Sequence, residues 1–211
     1  MDLKDQMDDI YRNMSPETIP WNFEKTPEIL QRIVETGRIK PCKSIELGCG
    51  IGNYVIYLAQ KGFDATGVDF SESAIKLAKD TALQKNVDCN FFVSDVLGEM
   101  NEIQDSFDFV YDWELLHHIF PEDREKYFIN VHRLLNSGSQ YMSVCFSDQS
   151  PQFGGKGKYR ETPLGTTLYF SSESEIISLA NPLFQILELE TVEIEGKFAP
   201  HKAVYSLLRK R

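Results

Sequence analysis

The stretch Ile45-Glu46-Leu47-Gly48-Cys49-Gly50-Ile51-Gly52-Asn53-Tyr54 decides the fold. It reads as a short buried strand, a turn carrying glycine at alternate positions, and the first turn of a helix. Glycine serves where main chain must bend sharply and where a ligand must approach backbone atoms without meeting a Cβ. The helix that follows points its free N–H groups at whatever occupies the turn. Strand, glycine turn and helix in that order make a nucleotide-sized pocket.

Such a turn serves both dinucleotide-binding and adenosyl-binding domains. The nicotinamide fingerprint is Gly-x-Gly-x-x-Gly, whereas here Gly48-x-Gly50-x-Gly52 brings the third glycine one residue early. Glu46 sits just before the turn, where a diphosphate would meet charge of the wrong sign. A cationic or amine-bearing ligand suits that carboxylate better.

Working outward, strands and helices alternate in the order an α/β domain demands. Thr26 and Pro27 open a helix that Gly37 ends, Ser44–Leu47 is the first strand, and a helix runs from Tyr54 to Gln60. The second strand, Ala65–Val68, ends at Asp69, roughly 20 residues beyond the glycine turn. Adenosine-binding α/β domains place a ribose-binding carboxylate there, although a helix-entry acid ahead of Ser73–Leu83 is the plainer alternative. Cys89–Ser94 is the third strand, with Asp95-Val96 at its carboxyl end, and Asp95 is either a ligand contact or a solvent-facing turn residue. Phe107–Asp112 is the fourth strand, and Trp113-Glu114-Leu115-Leu116-His117-His118 runs out of it as a helix. A helix from Glu122 to Leu135, opened by Pro121, leads to a fifth strand at Gln140–Phe146. Ser172–Leu179 reads as a helix with a capping box to Glu175. Phe184–Glu195 and His201–Leu208 close the chain as a strand hairpin around Gly196-Lys197.

Together these segments resemble the class I S-adenosylmethionine-dependent methyltransferases of small-molecule type, over nearly the whole chain. Glu46 with the glycine turn resembles their motif I, Asp69-Phe70-Ser71 their motif II, and the aromatic-Asp strand followed by Leu-His-His their motif IV. The resemblance implies one α/β domain over residues 1–211, a Rossmann-like three-layer sandwich. Its mostly parallel seven-stranded sheet would have the last strand inserted antiparallel between the fifth and sixth. It implies cofactor contacts from Trp21, Glu46, Gly48, Cys49, Gly50, Gly52 and Asn53, with Asp69 and Ser71 at the ribose side and Phe70 near the adenine. Asp95 and Val96 would serve the adenine edge, and Asp112 and Trp113 the reacting end. Residues 1–25, polar and interrupted by Pro16 and Pro20, are expected to form a lid arm, with Trp21 as a contact or as an anchor of the arm. The Gly-, Pro- and Ser-rich stretch 147–170 is expected to form an acceptor-side flap.

Methyl transfer needs alignment and exclusion of water more than covalent catalysis. If the acceptor must lose a proton, His117 is the expected base, with Asp112 as its catalytic neighbour. His118 is expected to pack internally, and Glu114 and His201 are weaker candidates. Methyltransferases acting on exocyclic amines of bases carry Asn or Asp followed by Pro-Pro and an aromatic residue, where this chain has Asp112-Trp113-Glu114-Leu115.

At 211 residues the chain suits a single core. A net charge of −10 disfavours nucleic-acid backbones. No apolar run approaches the roughly 20 residues of a membrane span, and the polar start lacks a signal peptide's apolar core. The 4 cysteines form no close pair and no zinc spacing, so no metal is expected. A cytoplasmic monomer or homodimer that methylates a small molecule is the expected whole. A cofactor-binding protein without turnover and a nicotinamide-dependent oxidoreductase are the alternatives.

Overall fold

The structure, a computed structural model, describes residues 3–23 and 25–211. The central strands are β1 (Lys43–Leu47), β2 (Asp64–Asp69), β3 (Asn90–Val93), β4 (Phe107–Trp113) and β5 (Leu135–Phe146). A small hairpin of β6 (Tyr159–Glu161) and β7 (Thr167–Tyr169) follows, then β8 (Phe184–Ile194) and β9 (His201–Lys210). The helices are α1 (Leu3–Asn13), α2 (Glu28–Glu35), α3 (Asn53–Gln60), α4 (Glu72–Gln84), α5 (Pro121–Leu134) and α6 (Glu173–Ala180).

One seven-stranded sheet runs β3-β2-β1-β4-β5-β9-β8, and β6 pairs only with β7. Strands β1 to β5 are mutually parallel where they pair, while β9 is antiparallel to both β5 and β8. The expected insertion of the last strand is therefore present. Winding reverses between β1 and β4, which opens a crevice outside their carboxyl ends.

Alternation along each strand divides the core into two layers. On β4, Phe109 and Tyr111 face one layer with Leu30, Val55, Ile75 and Ala78 of α2, α3 and α4. Val110 faces the other with Tyr127, Phe128, Val131 and Ile176 of α5 and α6. Burying these side chains, each contributing about 1.5–3 kcal/mol, holds helices to both faces. Ser172 and Glu175 form the expected reciprocal cap of α6. Among the described residues no helix is long and apolar enough to cross a membrane.

Three local expectations are corrected. Pro27, not Thr26, is the N-cap of α2. The fifth strand begins at Leu135, directly from α5, with a register shift against β4 between Phe107 and Phe109. Residues 147–170, read as a connection without secondary structure, carry the β6–β7 hairpin and are anchored. Arg160 donates to the carbonyls of Ser150 at 2.6 Å, Gln152 at 2.9 Å and Asp148 at 3.0 Å, and its guanidinium lies 3.9 Å from the Phe170 ring centre. One buried arginine thus supplies the donors that a structureless loop lacks.

Candidate active site

The carboxyl ends of β1, β2 and β4 border a cleft of about 820 Å³, its open mouth included. Its floor is the glycine turn, with Gly48, Gly50 and Gly52 at φ of +69°, +52° and +77°. A Cβ on Gly52 would lie 2.6 Å from the Phe91 ring and 3.1 Å from Ala78, so the third glycine is where α3 and α4 approach the sheet. A Cβ on Gly50 would lie 2.8 Å from the Tyr11 hydroxyl, on the opposite side of the cleft.

Glu46 and Asp69 bring two carboxylates to this cleft. Glu46 is 2% exposed and accepts from the Tyr111 hydroxyl at 3.2 Å. Burial, reinforced by Asp112 and Asp69, raises its pKa well above the ordinary carboxylate value. Asp69 accepts from the Gly50 N–H and from the Ser71 N–H, both at 2.9 Å, and so ties the glycine turn to the end of β2. Burial lifts Asp69 to about 6 despite these donors. Among the described residues lining the cleft there is no lysine or arginine. Two under-compensated carboxylates suit a ligand carrying an ammonium group and hydroxyl donors, and they repel a pyrophosphate.

The roof is the N-terminal arm. Helix α1 was not foreseen, yet Leu3, Met7, Tyr11 and Met14 recur at helical spacing. Met7 and Tyr11 are buried. Asp8 accepts from Ser71 Oγ at 2.6 Å and from the Ser73 N–H at 3.0 Å, placing its charge at the start of α4. Although burial opposes it, these hydrogen bonds keep Asp8 below its usual value. Lys4 pairs with Asp95 at 2.6 Å, Gln6 donates to the Leu164 carbonyl at 3.0 Å, and Asn53 donates to Asn22 at 2.7 Å. Lys197, in the β8–β9 turn, donates to the carbonyls of Ile19 at 2.8 Å and Asn22 at 3.2 Å. Trp21 donates to the Tyr11 hydroxyl at 2.8 Å, so it both anchors the arm and lines the cleft.

Of the expected contacts, Trp21, Glu46, Gly48, Cys49, Gly50, Asn53, Asp69, Phe70 and Trp113 line the cleft. Gly52 lies behind it as the N-cap of α3. Ser71 is fully buried and caps α4 by accepting from the Ala74 N–H at 3.0 Å. Asp95 and Val96 do not reach the wall: Asp95 is held by Lys4 and by the Leu97 N–H, and Val96 is packed into the core.

Neither expected catalytic residue is among the described residues lining the cleft. Asp112 is completely buried and accepts from Tyr127 at 2.9 Å, Tyr141 at 2.5 Å and Ser143 at 3.0 Å. Alternation along β4 turns it to the face opposite Tyr111 and Glu46. Burial raises it to about 6 against those three donors. His117 is buried beside Phe146, with ring centres 4.7 Å apart, and desolvation pushes its pKa well below the ordinary value. His118, expected to pack internally, lines the cleft, and burial holds it down to about 4. The expected helix is absent: Glu114 takes φ +59°, and only a short 3-10 turn, Leu116–His118, follows. That bend reverses which histidine faces inward. Sequence reading also missed Met7, Tyr11, Phe23 and Tyr54 on the cleft wall.

A family profile described as a methyltransferase domain matches residues 45–138, from β1 into β5. A 2-heptyl-1-hydroxyquinolin-4(1H)-one methyltransferase of Mycobacteroides abscessus is 30% identical over 150 residues, 68% of this chain. That match spans 65% of the relative's length. An uncharacterized methyltransferase of Schizosaccharomyces pombe is 30% identical over 116 residues, 55% of this chain and 76% of the relative. In fold, the chain is similar to the Burkholderia thailandensis 1,6-didemethyltoxoflavin-N1-methyltransferase solved with 1,6-didemethyltoxoflavin and S-adenosylhomocysteine. The TM-score is 0.77 at 19% identity, covering 99% of this chain and 87% of that one. With a glycine turn after β1, acidic residues at the ends of β1 and β2 and an inserted antiparallel β9, the chain belongs to the class I S-adenosylmethionine-dependent methyltransferases.

Proposed function

We propose that the protein transfers the methyl group of S-adenosylmethionine to a small-molecule acceptor. The observation that carries this reading is the convergence of Glu46 and Asp69 on one roofed cleft whose described lining has no lysine or arginine. When bound, S-adenosylmethionine supplies a methyl group on a sulfonium, which an acceptor lone pair takes as the carbon–sulfur electron pair returns to sulfur. Glu46 would hold the ammonium group, Asp69 the ribose hydroxyls, and Phe70 a face of the adenine. The amides of the glycine turn would lie along the chain between them. The roof excludes water, and the aromatic groups Trp21, Trp113 and Tyr54 narrow the reacting end.

The acceptor is read as small because the protein's own arm covers the cleft and the net charge of −10 repels a polynucleotide. The quinolone relative acts on a small molecule. The 4 cysteines are free thiols, which suits a cytoplasmic setting.

Methyl transfer from labelled S-adenosylmethionine should be measured with thiol, phenol and amine panels and with tRNA. Transfer to at least one small-molecule class and none to tRNA is expected. Exclusive labelling of tRNA would overturn the acceptor assignment. Tight S-adenosylhomocysteine binding with no transfer to any class would instead identify a binding protein without turnover.

Binding also tests the carboxylates. Hydroxyl donors favour the ionised form of Asp69, so binding must release the proton this group holds below pH 6. Affinity for S-adenosylhomocysteine should fall as pH drops from 7.5 to 5, and a flat profile in calorimetry would contradict the assignment of Asp69.

A further inference from the structure

Beside the cleft lies a second cavity of about 740 Å³, mouth included, between the arm, the start of α2 and the β8–β9 turn. The two share one wall, made of Trp21, Phe23, Tyr54, Trp113 and Glu114. Among the described residues Glu114 is the only carboxylate on that wall.

The chain holds Glu114 there against its own preference. Its φ of +59° lies in the left-handed region, which side chains other than glycine adopt at a cost. The backbone is pinned by its N–H, which donates to the Val144 carbonyl at 2.8 Å. The carboxylate is pinned by His201, whose Nε2 lies 2.7 Å from Oε1. His201 is itself buried, its ring centre 4.5 Å from that of Phe146. No described protein group donates to the second carboxylate oxygen. A strained backbone with both ends fixed presents one acceptor oxygen at the junction of two cavities.

The charge of the second cavity points the same way. Its two cations are already engaged, Lys25 by Glu195 and Lys197 by the arm's carbonyls. Glu28 and Glu193 remain at the rim. A polar acceptor oxygen, aromatic walls and a negative rim favour flat rings that donate a hydrogen bond, and they disfavour anions.

We propose that the second cavity is the acceptor site and that Glu114 orients the acceptor: an aromatic molecule, neutral or cationic, with an O–H or N–H donor beside its ring. This rests on the methyl-transfer reading above. Glu114 is a positioning residue here, and its effect is on which acceptors bind and how their donor points.

The test is binding of two probes that share one ring system, 2-naphthol and naphthalene-2-carboxylate, followed by quenching of tryptophan fluorescence. It is run with and without saturating S-adenosylhomocysteine. The naphthol should bind at least about ten-fold tighter than the carboxylate. Glu114→Gln should reduce that preference about ten-fold. Glu114→Gly, which adopts a positive φ freely, should do the same and guards against misfolding of the first variant. Equal binding of the two probes to the wild type would overturn the proposal, as would an unchanged preference in a folded variant. Failure of S-adenosylhomocysteine to bind the wild type would instead strike the methyl-transfer reading, because the probe preference is also read without it.

Discussion

The floor and the roof of the cleft are held by different physics. The floor is backbone: parallel strand ends, three left-handed glycines, and a turn tied by main-chain hydrogen bonds such as Cys49 N–H to the Val68 carbonyl at 2.9 Å. The roof is side chain: Asp8 on the start of α4, Lys4 on Asp95, Lys197 on the arm's carbonyls. A floor of that kind cannot move without unfolding β1 and α3. The roof is fastened by a few polar contacts, each worth about 0.5–1.5 kcal/mol net, and by an apolar cluster of Tyr11, Ile19, Ile51 and Ala74, all of them outside the sheet. Recognition is thus built into strand ends, and the arm is the proposed gate to the cleft.

The largest effect that would sharpen this contrast is at Gly52. Gly52→Ala combines a positive φ with a Cβ 2.6 Å from Phe91, and a stability loss of roughly 2–5 kcal/mol is expected. Denaturant unfolding measures it, and a loss under about 1 kcal/mol would show that the floor yields more readily than described.

Next comes Asp112, a buried acid of the floor that serves structure. Its folded value of about 6 lies above the ordinary 3.8. The group's contribution is therefore fully present below pH 3.8 and lost as pH rises through about 6. Asp112→Asn carries no such charge, so it should gain on the wild type by about 2 kcal/mol between pH 4 and pH 7. Paired unfolding curves across that range would expose an error as a constant difference.

The smallest effect belongs to the roof. Lys197→Ala removes the ammonium that clasps the carbonyls of Ile19 and Asn22. Stability should change by less than about 1 kcal/mol, while S-adenosylhomocysteine should leave several-fold faster in stopped-flow displacement. A slower or unchanged departure would mean that the arm does not gate the cleft.

The same contrast explains what the sequence made legible. Glycines at alternate positions, Glu46 before them and Asp69 beyond them are local patterns whose spacing fixes their place at strand ends, and the structure brings them together. The sheet order and the inserted β9 came with the resemblance. The roof depends on long-range side-chain contacts that no local pattern encodes. Asp8 caps a helix 63 residues away, and Lys197 clasps a carbonyl 178 residues away. His118 and not His117 lines the cleft because one residue, Glu114, enters the left-handed region where a helix was expected to continue. Asp112 stands at a strand end, but alternation along β4 gives it to the face away from Tyr111 and Glu46.

Isothermal calorimetry of the wild type and Glu46→Gln with S-adenosylhomocysteine, and of the wild type with NAD+, tests the central claim most directly. The account predicts wild-type binding with a dissociation constant of about 10 μM or tighter, no heat with NAD+, and a loss of about 30-fold or more in the variant at unchanged folded stability. Binding of NAD+ in preference to S-adenosylhomocysteine, or equal affinity of Glu46→Gln and the wild type, would contradict it.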